Sequence, residues 1–156
     1  MSESQVSISV RVRVAADDVW AALTDWRSQS AWITATKVRT VDGDGRGVGG
    51  RIEAFTGFGP LGFLDTMVVT EWEPPKRCVV RHTGNVVRGT GAFEVAGDED
   101  VSRGTTLTWY EDLEIPGGTV GAFGYALAKP VVEYMVTRSL KRFARLLEER
   151  SAPPGE

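Results

Sequence analysis

The chain carries one cysteine, Cys78, and one histidine, His82, in 156 residues. A lone cysteine excludes an internal disulfide and a thiolate metal cluster. With a single histidine and no carboxylates clustered at ligand spacing, no metal site is expected, and no cofactor. Long apolar runs are missing too. No segment approaches the roughly 18 consecutive apolar residues of a membrane span, and the first residues lack the apolar run of a signal peptide. The expectation is a cytoplasmic protein without stable membrane insertion. Positive charge is in short supply: the net charge is −3, whereas nucleic-acid binding needs a basic footprint, so no nucleic-acid partner is expected. The glycine-rich stretch Gly43 to Gly50 lacks the Lys-Ser/Thr ending of a phosphate loop, and no serine sits in a Gly-x-Ser-x-Gly elbow.

What the chain does contain is clear periodicity. From Pro130 onward Val132, Met135, Val136, Leu140, Phe143, Leu146 and Leu147 fall on one side of a helix, opposite Arg138, Lys141, Arg142, Arg145, Glu148 and Glu149. The region Thr119 to Arg150 therefore reads as one long helix, or two joined at Pro130, with an apolar stripe that needs a broad apolar surface to lie on. Gln5 to Val14 alternates strictly, with Val6, Ile8, Val10, Val12 and Val14 on one face, as a half-buried strand does. Helical spacing follows in Ala15 to Asp25, with Asp17 and Asp18 at its positive end. Trp26 to Ile33 reads as a second short helix or turn that plugs one end of the core. After Thr36 come about six strands separated by turns: Lys37–Val41, Val48–Thr56, Leu64–Trp72, Arg77–Thr83, Arg88–Val95 and Arg103–Leu113. Glycines inside these strands, Gly49, Gly50, Gly89 and Gly91, favour bends and bulges over flat pairing. The reading is a single α+β domain over residues 1–150, with 151–156 as a disordered tail. A sharply curved antiparallel meander faces the long helix, and a hollow is left between the two.

Several segments together resemble the START-like superfamily, also called SRPBCC, the polyketide cyclase/dehydrase and lipid-transport proteins. They are Ala-Ala-Asp-Asp-Val-Trp-Ala-Ala-Leu-Thr-Asp (Ala15 to Asp25), Trp32, Val48-Gly49-Gly50-Arg51, Glu71-Trp72-Glu73-Pro74-Pro75-Lys76-Arg77, Gly104-Thr105-Thr106-Leu107-Thr108-Trp109 and the final helix. The similarity runs over about residues 4 to 149. It implies a helix-grip fold, in which a curved sheet wraps the C-terminal helix around an apolar cavity. Members include aromatase/cyclases, lipid and sterol carriers, hormone receptors and quinone-binding chaperones. No catalytic motif is common to them, so the resemblance transfers no residue roles, and fold alone does not fix function.

Candidate site residues come from strand alternation instead. Leu107, Trp109, Glu111 and Leu113 share a face of the last strand, so Glu111 is either a cavity carboxylate or a rim group in water. His82 follows Cys78 and Val80 at period two, which turns it inward unless the strand end leaves it exposed; His82 and Glu111 are the candidate catalytic acid/base residues. Asp65 shares a face with Phe63 and Met67. Buried, it would need a partner such as Arg81 or Arg88; exposure is the simpler expectation. Phe55, Phe58, Leu61 and Phe63 sit in a Gly/Pro-rich stretch read as a loop, where large apolar side chains are unusual. They are expected either to close the cavity as a lid or to meet a partner. Trp32 is core or pocket wall. A second stripe, Val120, Phe123, Leu127, Val131 and Tyr134, points away from the Phe143 stripe, toward either the cavity mouth or a partner. The expected ligand-binding set is therefore Trp32, Phe55, Phe58, Phe63, Met67, His82, Trp109, Glu111, Phe123, Leu127 and Val131. The leading function is binding or transport of a small hydrophobic ligand of lipid, isoprenoid, quinone or polyketide type, by a monomer or homodimer. The alternatives are a polyketide aromatase/cyclase-type enzyme and a protein-interaction module.

Overall fold

The computed structural model describes residues 5–114 and 118–152, without the side chains of residues 118–120, 122 and 123. Strand β1 (Gln5–Val12) is followed by helix α1 (Ala16–Leu23) and a 3-10 helix (Trp26–Ala31). Six strands come next: β2 (Thr36–Thr40), β3 (Arg51–Phe58), β4 (Leu61–Glu73), β5 (Arg77–Thr83), β6 (Arg88–Gly97) and β7 (Thr105–Glu114). Helix α2 (Gly118–Ser151) ends the fold, so it includes the first residue of the expected tail; residues 153–156 lie outside the described residues.

The strands form one antiparallel sheet in the order β1-β7-β6-β5-β4-β3-β2. Consecutive strands pair as a meander, and β1 closes onto β7, with Val6 opposite Glu111 and Val12 opposite Thr105. The curved half-barrel cups α2, whose Val136, Leu140, Phe143, Ala144 and Leu147 are buried in one core with Val12, Leu107 and the tryptophans of the short helices. The ring of Trp32 joins three layers: it packs edge-on against Phe143 of α2 at 5.0 Å, Trp109 of β7 at 6.1 Å and Phe93 of β6 at 6.4 Å. Trp20 of α1 meets Trp72 of β4 at 5.1 Å. Such aromatic pairs add about 0.5–1.5 kcal/mol each beyond the area they bury.

Three features depart from the sequence reading or resolve an ambiguity in it. First, residues 56–63 are not a loop. Thr56, Gly57 and Phe58 pair with Phe63, Gly62 and Leu61, so β3 and β4 run out to a tight hairpin at Gly59-Pro60. Gly57 makes this possible, because a Cβ there would lie 2.2 Å from the Leu61 carbonyl oxygen. Second, a bulge that bends β4 sits at a non-glycine position. Val69 pairs with Val80 and Glu71 with Val79, leaving Thr70 over. Third, α2 runs unbroken through Pro130. Proline leaves the carbonyl four residues earlier without its helical donor. Here that residue is Ala126, which is exposed, as is Pro130, so water can take the place of the donor.

Ser139 fixes α2 against the segment entering β2. Its Oγ accepts from the Thr34 backbone N–H at 3.0 Å and donates to the Met135 carbonyl at 2.7 Å, in a buried setting. Ser139→Ala strands the Thr34 N–H and is expected to cost about 1–3 kcal/mol in urea unfolding. A change below about 0.5 kcal/mol would mean that water reaches the amide.

Candidate functional site

Between the sheet and α2 lies a cavity of about 470 Å³, inside the usual range for small-molecule sites. Alternation aims its walls. Phe63, Asp65 and Met67 face in from β4, Cys78, Val80 and His82 from β5, and Trp109, Glu111 and Leu113 from β7, while Val131, Val132, Met135 and Val136 close it from α2. Val131 is 58% and Phe63 38% exposed. The cavity therefore opens to solvent between α2 and the outer part of the β3–β4 hairpin.

Its one strongly polar feature spans four neighbouring strands. His82 Nδ1 lies 2.8 Å from Asp65 Oδ1 and His82 Nε2 lies 2.9 Å from Glu111 Oε2. The indole N–H of Trp109 donates to Glu111 Oε1 at 2.8 Å. All three ionisable side chains are withdrawn from water, with the imidazole 4%, Asp65 14% and Glu111 13% exposed. Asp65 on β4 is next door to β5, but Glu111 on β7 must reach across β6 to touch His82. Its cross-strand neighbour there is Gly91. A Cβ on Gly91 would come within 2.8 Å of Glu111 Oε2 and 3.0 Å of Oε1, so the missing side chain is the gap through which the carboxylate passes.

With both ring nitrogens facing carboxylate oxygens, a neutral imidazole would set a nitrogen lone pair against an oxygen lone pair; the doubly protonated ring satisfies both contacts. Burial by itself pushes the His82 pKa down, but the hydrogen bonds to Asp65 and Glu111 and the charges of both outweigh it and lift it to about 10. At neutral pH the cluster is an imidazolium held by two carboxylates, and His82 has no free nitrogen with which to take a proton. Burial alone pushes the Cys78 thiol up to about 12, which keeps it protonated and unreactive.

Of the residues expected at the site, Phe63, Met67, His82, Trp109, Glu111 and Val131 line the cavity. Trp32 is buried behind that lining, against Trp109 and Phe93. Phe55 lies instead on a separate depression with Lys37, Arg138 and Arg142. Phe58 and Leu127 stand 79% and 68% exposed rather than folded over the opening, and the Phe123 side chain lies outside the described residues. Asp65 is half-buried against His82 rather than exposed, and neither Arg81 nor Arg88 is its partner. Asp65 and Gly91 are the two residues of the polar cluster that sequence reasoning leaves out of the binding set, and the wall residues Cys78, Val80, Leu113, Val132, Met135 and Val136 are left out as well. Asp65 shares a strand face with Phe63 and Met67, a signal that could have placed it there; nothing in the sequence marks Gly91 as more than another bend. Among the described residues no group of three or more His, Cys, Asp or Glu side chains is arranged to hold a metal ion, and no helix is long and apolar enough to cross a membrane.

A curved half-barrel sheet gripping a long terminal helix defines a helix-grip-like α+β fold. The family described as polyketide cyclase / dehydrase and lipid transport matches residues 3–148, and the chain belongs to it. Solved structures of the same fold include a protein from Thermus thermophilus, 13% identical over 95% of this chain and 99% of that one, TM-score 0.78. The Zhui aromatase/cyclase from Streptomyces sp. R1128 is 19% identical over 97% of both chains, TM-score 0.77. The di-domain aromatase/cyclase StfQ from the steffimycin biosynthetic pathway is 15% identical over 95% of this chain and 51% of that one, TM-score 0.72. No curated protein sequence matches the chain.

Proposed function

We propose that the protein binds a small hydrophobic ligand in the cavity between sheet and α2, with the Asp65–His82–Glu111 cluster orienting its one polar group. The observation that carries this reading is the cavity itself: about 470 Å³ walled by apolar side chains, with its charge gathered at one place. Burying roughly 200–300 Å² of ligand at about 25 cal/mol per Å² supplies about 5–7 kcal/mol before association costs. The family and its aromatase/cyclase members support an apolar, polyketide-like or lipid-like guest.

Titration with 1-aminoanthracene, a neutral fluorescent probe, tests this. Binding is expected in the wild type and should weaken at least about tenfold in Ala54→Phe. Ala54 is buried on the lining opposite Asp65, and a phenyl ring there would fill guest volume. Undiminished probe binding by a folded Ala54→Phe protein would place the probe elsewhere and sink the reading.

A catalytic role, as an aromatase/cyclase-type enzyme, draws support from one observation, the carboxylate pair flanking His82 in an apolar chamber. In that reading a carboxylate, not the imidazole, removes the proton beside a substrate carbonyl, because both imidazole nitrogens are occupied. His82 is then the group that holds Asp65 and Glu111 in place.

A further inference from the structure

We infer that the cavity selects neutral ligands bearing a hydrogen-bond donor, a hydroxyl or phenol, and rejects carboxylates and phosphates of the same size. This rests on the ligand-binding reading above and narrows its chemistry.

Charge is the first ground. The ionisable groups on the lining are Asp65, His82, Glu111 and the thiol of Cys78, and no lysine or arginine is among the described lining residues. Two carboxylates against one imidazolium leave the cavity wall net negative, and an apolar chamber screens that charge poorly. An anionic ligand would meet repulsion with no cation to offset it.

The second ground is donor capacity. Both imidazole N–H groups and the Trp109 indole N–H are spent inside the cluster. What it still offers a guest is acceptors: Asp65 Oδ2, with no partner among the described residues, and the remaining lone pairs of Glu111. The hydroxyl hydrogens of the lining are likewise committed. Thr36 donates to the Thr34 carbonyl and therefore accepts from Thr56, while Ser139 donates to Met135. Gln29 commits one of its two amide hydrogens to the Leu23 carbonyl, so the donors left on the lining are its second amide hydrogen and the weak Cys78 S–H. The Trp32 indole N–H is buried without a partner among the described residues, but its ring is not on the lining. A guest that only accepts hydrogen bonds finds little to bind, whereas a guest that donates one finds a desolvated carboxylate.

Three probes of one shape separate the cases in isothermal calorimetry at pH 7: 2-naphthol donates, 2-methoxynaphthalene only accepts, and 2-naphthoate is anionic. The wild type is expected to bind 2-naphthol at least about tenfold more tightly than either of the others. In Asp65→Asn the preference over 2-naphthoate should shrink by about tenfold, since the wall loses a negative charge; Glu111→Gln is the second variant should the first not fold. Equal binding of 2-naphthol and 2-methoxynaphthalene, or of 2-naphthol and 2-naphthoate, would overturn the inference while leaving a hydrophobic-ligand function standing. Failure of all three to bind would bring down both.

Discussion

Replacing His82 with alanine is expected to lower folding stability at pH 7 by about 3–5 kcal/mol, because it strands two half-buried carboxylates without a counter-charge. The loss should not scale with the volume removed. Asp65 and Glu111, 14% and 13% exposed, would repel one another across the gap, and each would lose its charged hydrogen-bond partner. Urea unfolding of three proteins distinguishes this from a simple cavity effect. The triple substitution Asp65→Leu, His82→Leu and Glu111→Leu should lie within about 1–2 kcal/mol of the wild type or above it, since well-packed apolar groups often replace buried ions without loss. A His82→Ala protein less than about 1 kcal/mol below the wild type would mean that water enters the cluster freely. If the triple-leucine protein were the least stable of the three, the cluster would be a net stabilising element, and the cost assigned to stranded charge would be wrong. Either way the comparison separates the two reasons for retaining charge in a greasy chamber, folding and ligand chemistry. The expectation here is the latter.

The fold is legible in the sequence because its signals are periodic and local. Alternation from Val6 to Val12 places β1 with its buried face on α2 and the core, and the spacing of Val136, Leu140, Phe143 and Leu147 does the same for the helix. Tertiary contacts only have to agree with patterns already present. The site is half legible. The same alternation turns His82, Trp109 and Glu111 inward, but it cannot say which inward groups meet, since pairing depends on strand order and register. Exposure is the default reading of Asp65 because a carboxylate is usually exposed; its partner lies 17 residues away on β5 and is visible only once Met67 is known to face His82. Gly91 is harder still. Its importance is the absence of an atom where Glu111 crosses β6, a property of three strands at once. The hairpin at Gly59-Pro60 escapes the sequence for the opposite reason. Glycine and proline are strong local breaker signals, and here pairing across Gly57 and Gly62 overrides them.

Alkaline pH is expected to weaken the protein well before its other buried groups ionise. His82 is held at about 10 in the fold against 6.5 for the free side chain. Between those values the native state keeps a proton that the unfolded chain has released. Stability then falls as pH rises. The cluster's contribution is complete below about pH 6.5 and is lost as pH passes through about 10, at a slope of at most about 1.4 kcal/mol per pH unit. From pH 7 to pH 9 the wild type should lose about 2–3 kcal/mol, which for a chain of this size lowers Tm by about 5–10 °C. The window matters. Cys78, raised from 9.0 to about 12, adds a loss of the same sign only above pH 9, and Tyr125, raised from 10.0 by burial and by the charges of Glu111, Glu133 and Asp112, adds one later still. Below pH 9 the slope therefore reports His82, and the triple-leucine protein, which lacks the titrating group, should be flat over the same range. Equal slopes in the two proteins would show that the proton lost is not the one between Asp65 and Glu111. A wild type flat from pH 7 to 9 would show that the imidazole is neutral in the fold. One of its nitrogens would then carry a lone pair able to take a proton, and the cavity would have to be read again as a catalytic chamber.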